Sequence, residues 1–317
     1  MLLITVALVN RELFHGTRAQ IVAHGIEFSV TRQRDKKLSL TSLAVDFKTN
    51  FSSPVSNGLI YLIMIFLGRS FHLNSLTDSF NHLQSEKTDT ARFENNHLNG
   101  TIPQCLGEMS GLEILSLRSN KLHGPISDSR KDNLFAQIQV IDLSSNGFSG
   151  NLPVSHFENF QAMKIIAENS GTREYIAVDY SGHYANTLIV TTKGLDLELP
   201  RVLTTYMIIN LSRNRFEGHI PSIIGDLVGL RMMNLSHNGL EGIIPASFHQ
   251  LSVLESLDFS SNKIGGEIPQ QLVSLTSLEV INLSHNHLVG CIPKGKQFDT
   301  FENSSYQGND GLHGLWW

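Results

Sequence analysis

Of the fourteen histidines in the chain, His285 and His287 in "SHNHLVG" come closest to forming a chemical pair. Two neighbouring imidazoles are a common start to a metal site, which needs further nitrogen, sulfur or carboxylate ligands converging on one point. Register argues against it. His285 points from the face that carries the strands, His287 sits at an adjacent variable position, and both read as surface. No metal is expected. A glycine-rich phosphate loop, a nucleophile elbow, a Cys-x-x-Cys pair and a His-Glu-x-x-His helix are all missing. The chain therefore reads as a non-enzyme with no cofactor. One chemistry remains, modification at Asn-x-Ser/Thr. Six such triplets begin at Asn50, Asn99, Asn210, Asn234, Asn282 and Asn303. Three of them, Asn210, Asn234 and Asn282, fall in one recurring slot of the sequence, where "NLS" is equally ordinary repeat wording.

That recurring slot leads to the elements that must position these side chains. Asn-x-Leu-x-Gly, with Leu, Ile or Phe in the middle, begins at Asn96, Asn120, Asn146, Asn214, Asn238, Asn262 and Asn286, mostly 24 residues apart. A fixed period with drifting content is the sequence form of a stacked architecture. In "LRMMNLSHN" the residues Leu230, Met233 and Leu235 are spaced for a short strand with apolar side chains inward. Met232, Asn234 and Ser236 are then expected to face solvent. Asn238 should enter the coil and pair with backbone groups that are otherwise buried and unsatisfied. Gly242 permits a turn, and Pro245 stiffens the return. The expected fold is a leucine-rich-repeat solenoid of the α/β type, a right-handed horseshoe with parallel strands on its concave face. Strands should centre near 114–117, 140–143, 207–211, 232–235, 256–259 and 280–283.

One step is 68 residues long and leaves an island without the repeat signature. Within it "REYIAV" and "TLIVTT" read as strands joined by the polar turn "DYSGHYAN", which sets Tyr184 near a hairpin tip. The organisation read from the chain is 1–92 as a divergent segment, 93–153 as repeats, 154–203 as the island, 204–293 as repeats and 294–317 as a cap-like tail. Residues 1–87 show no period and should pack loosely. A net charge of −5 and short basic runs give no nucleic-acid surface. "LIYLIMIFLG" is half the length of a spanning helix, which needs about 20 residues. "MLLITVALV" lacks the positive flank of a signal peptide. Cys105 and Cys291 fall about eight rungs apart at ~4.8 Å each, far beyond the ~7 Å reach of a disulfide, and read as unpaired thiols.

These residues resemble a known family. "VTTKGLDLELPRVLTT" (190–205), "GHIPSIIGDLVGLR" (218–231) and "HNHLVGCIPKGKQFDTFENSSYQGNDGL" (285–312) look like the C-terminal half of plant leucine-rich-repeat receptor-like proteins, the Cf class of disease-resistance receptors. The resemblance spans roughly 93–312. It implies a kinase-less, cell-surface module that perceives a pathogen-derived or endogenous protein or peptide ligand, and that recruits adaptor and co-receptor receptor kinases through the repeats after the island. The family's island motif, Tyr-x8-Lys-Gly, matches Tyr184, Lys193 and Gly194. Candidate contacts on the repeats are Arg213, His237, Asp258 and His285, and candidate glycan carriers are Asn99, Asn210, Asn234, Asn282 and Asn303. Few repeats, no cap cysteines and no membrane helix depart from the family and imply a truncated receptor or fragment. A secreted inhibitor of a cell-wall-degrading enzyme is the alternative.

Overall fold

The short strands of a 24-residue repeat cannot satisfy their own N–H and C=O groups, so each rung must pair with the rungs before and after it. The computed structural model describes residues 90–102, 111–126, 135–166, 202–295 and 297–314 in full. Elsewhere it describes the strand backbones of Arg18–Ala23, Ile26–Arg32, Leu43–Thr49, Leu188–Thr192 and Leu195–Leu199. Two units separate at residue 69. In the first, the three strands form an antiparallel sheet in chain order. The expectation of loose packing over 1–87 otherwise falls outside the described residues.

The second unit holds the rungs. Their strands are Thr90–Arg92, Ile114–Ser116, Val140–Asp142, Met207–Asn210, Leu230–Asn234, Ser256–Asp258 and Val280–Asn282, joined in a seven-stranded sheet with every neighbour parallel. Parallel pairing follows from each rung running the same way and returning to the same start. The first strand opens at Thr90, just ahead of the first Asn-x-Leu-x-Gly. Inward side chains, among them Leu115, Ile141, Ile209, Met233, Leu257 and Ile281, form a continuous buried core. Phe148 stacks on Phe216 at 6.3 Å, and Phe248 tilts against Phe259 at 5.9 Å. Such pairs fill the wider part of the coil.

The second half of each repeat holds a feature absent from the sequence reading. "NxLxGxIP" does not simply return the chain. It forms a second strand per rung, and these assemble into an eight-stranded sheet whose neighbours run parallel, from Asn99–Gly100 to Gly311–His313. Gly124, Gly150, Gly218, Gly242, Gly266 and Gly290 all have φ between 71° and 83° there. In that left-handed region a Cβ is penalised, which is why the repeat keeps a glycine. Proline then caps a short 3-10 helix, as Pro245 does for Ala246–Gln250.

The island leaves this stack without breaking it. Val140–Asp142 of rung three pairs directly with Ile208–Asn210 of rung four. The island opens with a helix, Val154–Asn159, whose His156 and Phe157 are buried, and a 3-10 turn, Ala162–Lys164, with Met163 buried. Further on, Leu188–Thr192 pairs antiparallel with Leu195–Leu199, leaving Lys193 and Gly194 between the paired ends. "TLIVTT" takes its partner from the strand after it, because "LDLEL" alternates apolar and acidic residues with period two. "REYIAV" and Tyr184 fall outside the described residues.

The tail continues the stack. Ser305 and Gln307 accept hydrogen bonds from the amides of Leu283 and His285, and Gly311–His313 extends the second sheet. Phe298, Tyr306 and Leu312 are buried against the last rung. Residues 297–313 thus add a degenerate eighth rung.

Candidate functional site

Three rows of side chains run across the rungs, each set by its place in the repeat. The innermost is the asparagine ladder. Asn238 donates to the carbonyls of Leu211 (3.1 Å) and Leu235 (3.0 Å) while its own oxygen accepts from the Phe216 amide (3.0 Å). Asn120, Asn146, Asn214, Asn262 and Asn286 repeat the pattern. Asn309 extends it, binding the carbonyls of Leu283 and Tyr306 and the amide of Leu288. The sequence reading missed Asn309 because "NDGLHG" carries one residue more than the usual spacing. Asn214 bridges the island, holding Leu143 O at 3.0 Å and Phe148 N at 3.0 Å across a gap of about seventy residues of chain.

The second row is polar and occupies the slot of Asp142, Asn210, Asn234, Asp258 and Asn282. It was expected to face solvent, and it does not. Asn210 and Asp142 are each 3% exposed, and Asn234, Ser236 and Met232 are buried too. Each member accepts from the backbone amide of the serine two residues on, from Ser144 (2.9 Å) through Ser284 (3.2 Å). The Asn210 amide also donates to Asp142 Oδ2 at 3.2 Å. Local turns of this kind fold the side chain back over its own strand. Asp258 belongs to this buried row, where burial raises its pKa against the hydrogen bonds from Ser260.

Burial likewise raises the Asp142 carboxyl to about 6, although bonds from Ser144 oppose it. In the unfolded chain an aspartate ionises near 3.9. The folded state therefore holds its proton more tightly, and this contribution is largest below pH 4 and lost as pH rises to about 6. The expected result is a stability decline of about 2 kcal/mol between pH 4 and 7 that is missing from Asp142→Asn, read from urea midpoints across that range.

The third row ends each strand with a left-handed residue. Asn95, Ser119, Ser145, Arg213, His237, Ser261 and His285 have φ of 54° to 56°. Arg213 and His237 donate their amides to the carbonyls of Ser236 and Ser260 on the next rung, at 2.8 and 2.9 Å. The backbone pins the base of each side chain, and Arg213, His237 and His285 are exposed. Of the four repeat candidates, three therefore share an open row and Asp258 lies in the buried row beside it. His287 is exposed in the second-sheet strand His287–Cys291, as is Cys291. Cys105, Lys193 and Gly194 fall outside the described residues. Asn99 and Asn303 are exposed and Asn282 is half-buried.

The outer face of the first sheet also carries an apolar patch. Ile114, Val140, Ile208 and Met232, the alternates of the core residues, cluster with Val202, and Tyr206 packs beside them. Val202 and Tyr206 are where the island returns to the rungs. Among the described residues no helix is long and apolar enough to cross a membrane.

The family profile described as "Leucine rich repeat" matches residues 204–264 and 230–288. The chain is 73% identical over 191 residues to a Receptor-like protein Cf-9 homolog of Solanum lycopersicum, covering 60% of this chain and 23% of the relative. It is 72% identical over 191 residues to Receptor-like protein Cf-9 of Solanum pimpinellifolium, covering 60% of this chain and 22% of the relative. The chain thus spans less than a quarter of the relatives' length. A crystal structure of the Arabidopsis receptor kinase HAESA in complex with the peptide hormone IDA and the co-receptor SERK1 is 28% identical. The match covers 73% of this chain and 35% of that one, with a TM-score of 0.46. On the identity to the Solanum proteins over 191 residues, the repeat region of this chain is similar to the plant leucine-rich-repeat receptor-like proteins of the Cf-9 type.

Proposed function

We propose that this chain is the ligand-perceiving part of a kinase-less, cell-surface receptor-like protein, working by protein–protein binding. The observation that carries the reading is the unbroken passage of sheet and asparagine ladder beneath the island. A long insertion on an undisturbed scaffold is an element for presentation, since loops on rigid frames are where binding residues concentrate. The island, with Tyr184, Lys193 and Gly194, would meet a protein or peptide ligand. A tyrosine ring with one polar handle and a mobile lysine charge suit such a surface. The open row of Arg213, His237 and His285 on the rungs after the island would meet a receptor-kinase partner. Exposed Asn99 and Asn303 suit glycan attachment. Asn210 and Asn234, folded into the buried row, do not.

The test is a Cf-9 homolog in which residues 90–313 of this chain replace the matching region. Tyr184→Ala with Lys193→Ala should abolish the ligand-triggered response while secretion and melting stay normal. Arg213→Ala, His237→Ala and His285→Ala together should reduce co-precipitation of the receptor kinase. Retained response and partner capture in both variants would refute the proposal.

A further inference from the structure

The two ends of the island meet two nearby residues of rung five, Gly229 and Arg231. On the entry side, the Gly229 amide donates to the Met163 carbonyl at 2.8 Å. On the exit side the chain makes a turn closed by the Tyr206 amide on the Leu203 carbonyl at 2.9 Å. Arg231 Nε donates to the Thr205 carbonyl inside that turn at 2.8 Å. The Arg231 guanidinium also binds the Glu255 carboxylate of rung six, which in turn takes a hydrogen bond from the Tyr206 hydroxyl. Charge-assisted bonds of this kind are shorter and about twice as strong as neutral ones. Just before the turn, Val202 seats in the apolar patch of Ile114, Val140, Ile208 and Met232.

Nothing in the repeat itself calls for this arrangement. At the position of Arg231, rungs two, six and seven carry Glu113, Glu255 and Glu279, and rung three carries Gln139. Rung five alone of these has a cation there, next to the place where the island rejoins the rungs. The hydroxyl of Tyr206, half-buried beside Glu255 and Glu279, is pushed up to about 12 by burial and these carboxylates. It therefore stays a donor at every physiological pH.

We propose that Gly229 and Arg231 form a clamp on the two stems of the island, with Glu255 and Tyr206 locking the exit stem, so that rung five sets the direction in which the island projects. These are positioning residues. The inference rests on the proposed role of the island only for its use to the receptor, and its test needs no ligand, so the two can fail separately.

The experiment uses the full chain with Cys105 and Cys291 changed to Ser and spin labels at Lys193→Cys and Lys263→Cys. Arg231→Ala should broaden the distance distribution between the labels. It should also speed hydrogen exchange at the Tyr206 amide about tenfold to a hundredfold, as expected for losing a bond to a charged donor. The amides of Met233 and Leu257 should keep their protection. The charge swap Arg231→Glu with Glu255→Arg restores an ion pair but leaves nothing to hold the Thr205 carbonyl, so it should not restore either signal. A general loosening of rungs five and six, unchanged exchange at Tyr206, or full rescue by the swap would overturn the clamp.

Discussion

Asn214→Ala should cost about 2–4 kcal/mol, through one main-chain amide left unpaired and three carbonyls that each lose a hydrogen bond. The side chain bonds four main-chain groups at once. Its amide donates to the carbonyls of Leu143, Leu211 and Ser212, and its oxygen accepts from the Phe148 amide, at a half-buried position inside the coil. Leaving a buried backbone group unpaired costs about 1–3 kcal/mol, and alanine does this to the Phe148 amide. The carbonyls of Leu143, Leu211 and Ser212 keep the Asn146 and Asn238 side-chain amides and the Ser145 N–H, and lose one bond each. Position adds a qualitative signature. A solenoid is held by nearest-neighbour interfaces, and Asn214 sits at the interface where the covalent connection is longest. Weakening it should split unfolding in urea into two steps, with rungs one to three melting apart from rungs four to seven. Asn96→Ala is the control. Its amide bonds only the Glu94 carbonyl, at 2.9 Å, among the described residues, so its loss should be about 1 kcal/mol. Equal losses for the two variants, or a single transition in Asn214→Ala, would mean that the ladder does not carry the joint.

The contrast between Asn214 and Asn96 also marks what the sequence could disclose. The period, the parallel strands and the inward asparagine were legible because each is a local demand repeated many times. A strand needs alternation, and a buried turn needs an amide that both donates and accepts. The second sheet was not legible, because "LxGxI" is too short and too glycine-rich to score as a strand alone. It becomes one only when neighbouring rungs supply its partners. The burial of Met232, Asn234 and Ser236 escaped for a related reason. Alternation says which side of the sheet a residue faces, but not whether that side is open. Serine turns fold the asparagine row down, and Val202 with Tyr206 lie on the methionine. The antiparallel pairing of "TLIVTT" with "LDLEL" went unread because the two residues between the strands carry no Asn-Gly or Asp-Gly turn signal. In the candidate site, the repeat register was enough to put Arg213, His237 and His285 in one exposed row. It was silent on Arg231 and Gly229, whose roles depend on contacts with a segment that has no register.

Gly229→Ala should destabilise the chain by about 2–3 kcal/mol, although alanine is normally the milder residue. The backbone there is not left-handed, so no conformational penalty applies. The obstacle is space. A Cβ would stand 2.4 Å from the Ile165 carbonyl oxygen, 2.7 Å from the Met207 sulfur and 3.1 Å from the Met163 carbonyl oxygen. Two of those three neighbours are backbone atoms of the island's entry stem and cannot rotate away. The repeat does not require glycine at this place, since rungs six and seven carry Val253 and Ser277 in the same position. Gly111 in rung two provides the comparison, with nothing within 4 Å of its added Cβ. Gly111→Ala should therefore be neutral, or stabilising by up to about 1 kcal/mol through the unfolded state. Thermal melts of the two single variants beside the parent decide the matter. A matched pair of melting temperatures would show that the entry stem does not press on rung five. A fall confined to Gly229→Ala, with faster exchange at the Gly229 position amide, would show that the stem is held by contact and that glycine was kept to admit it.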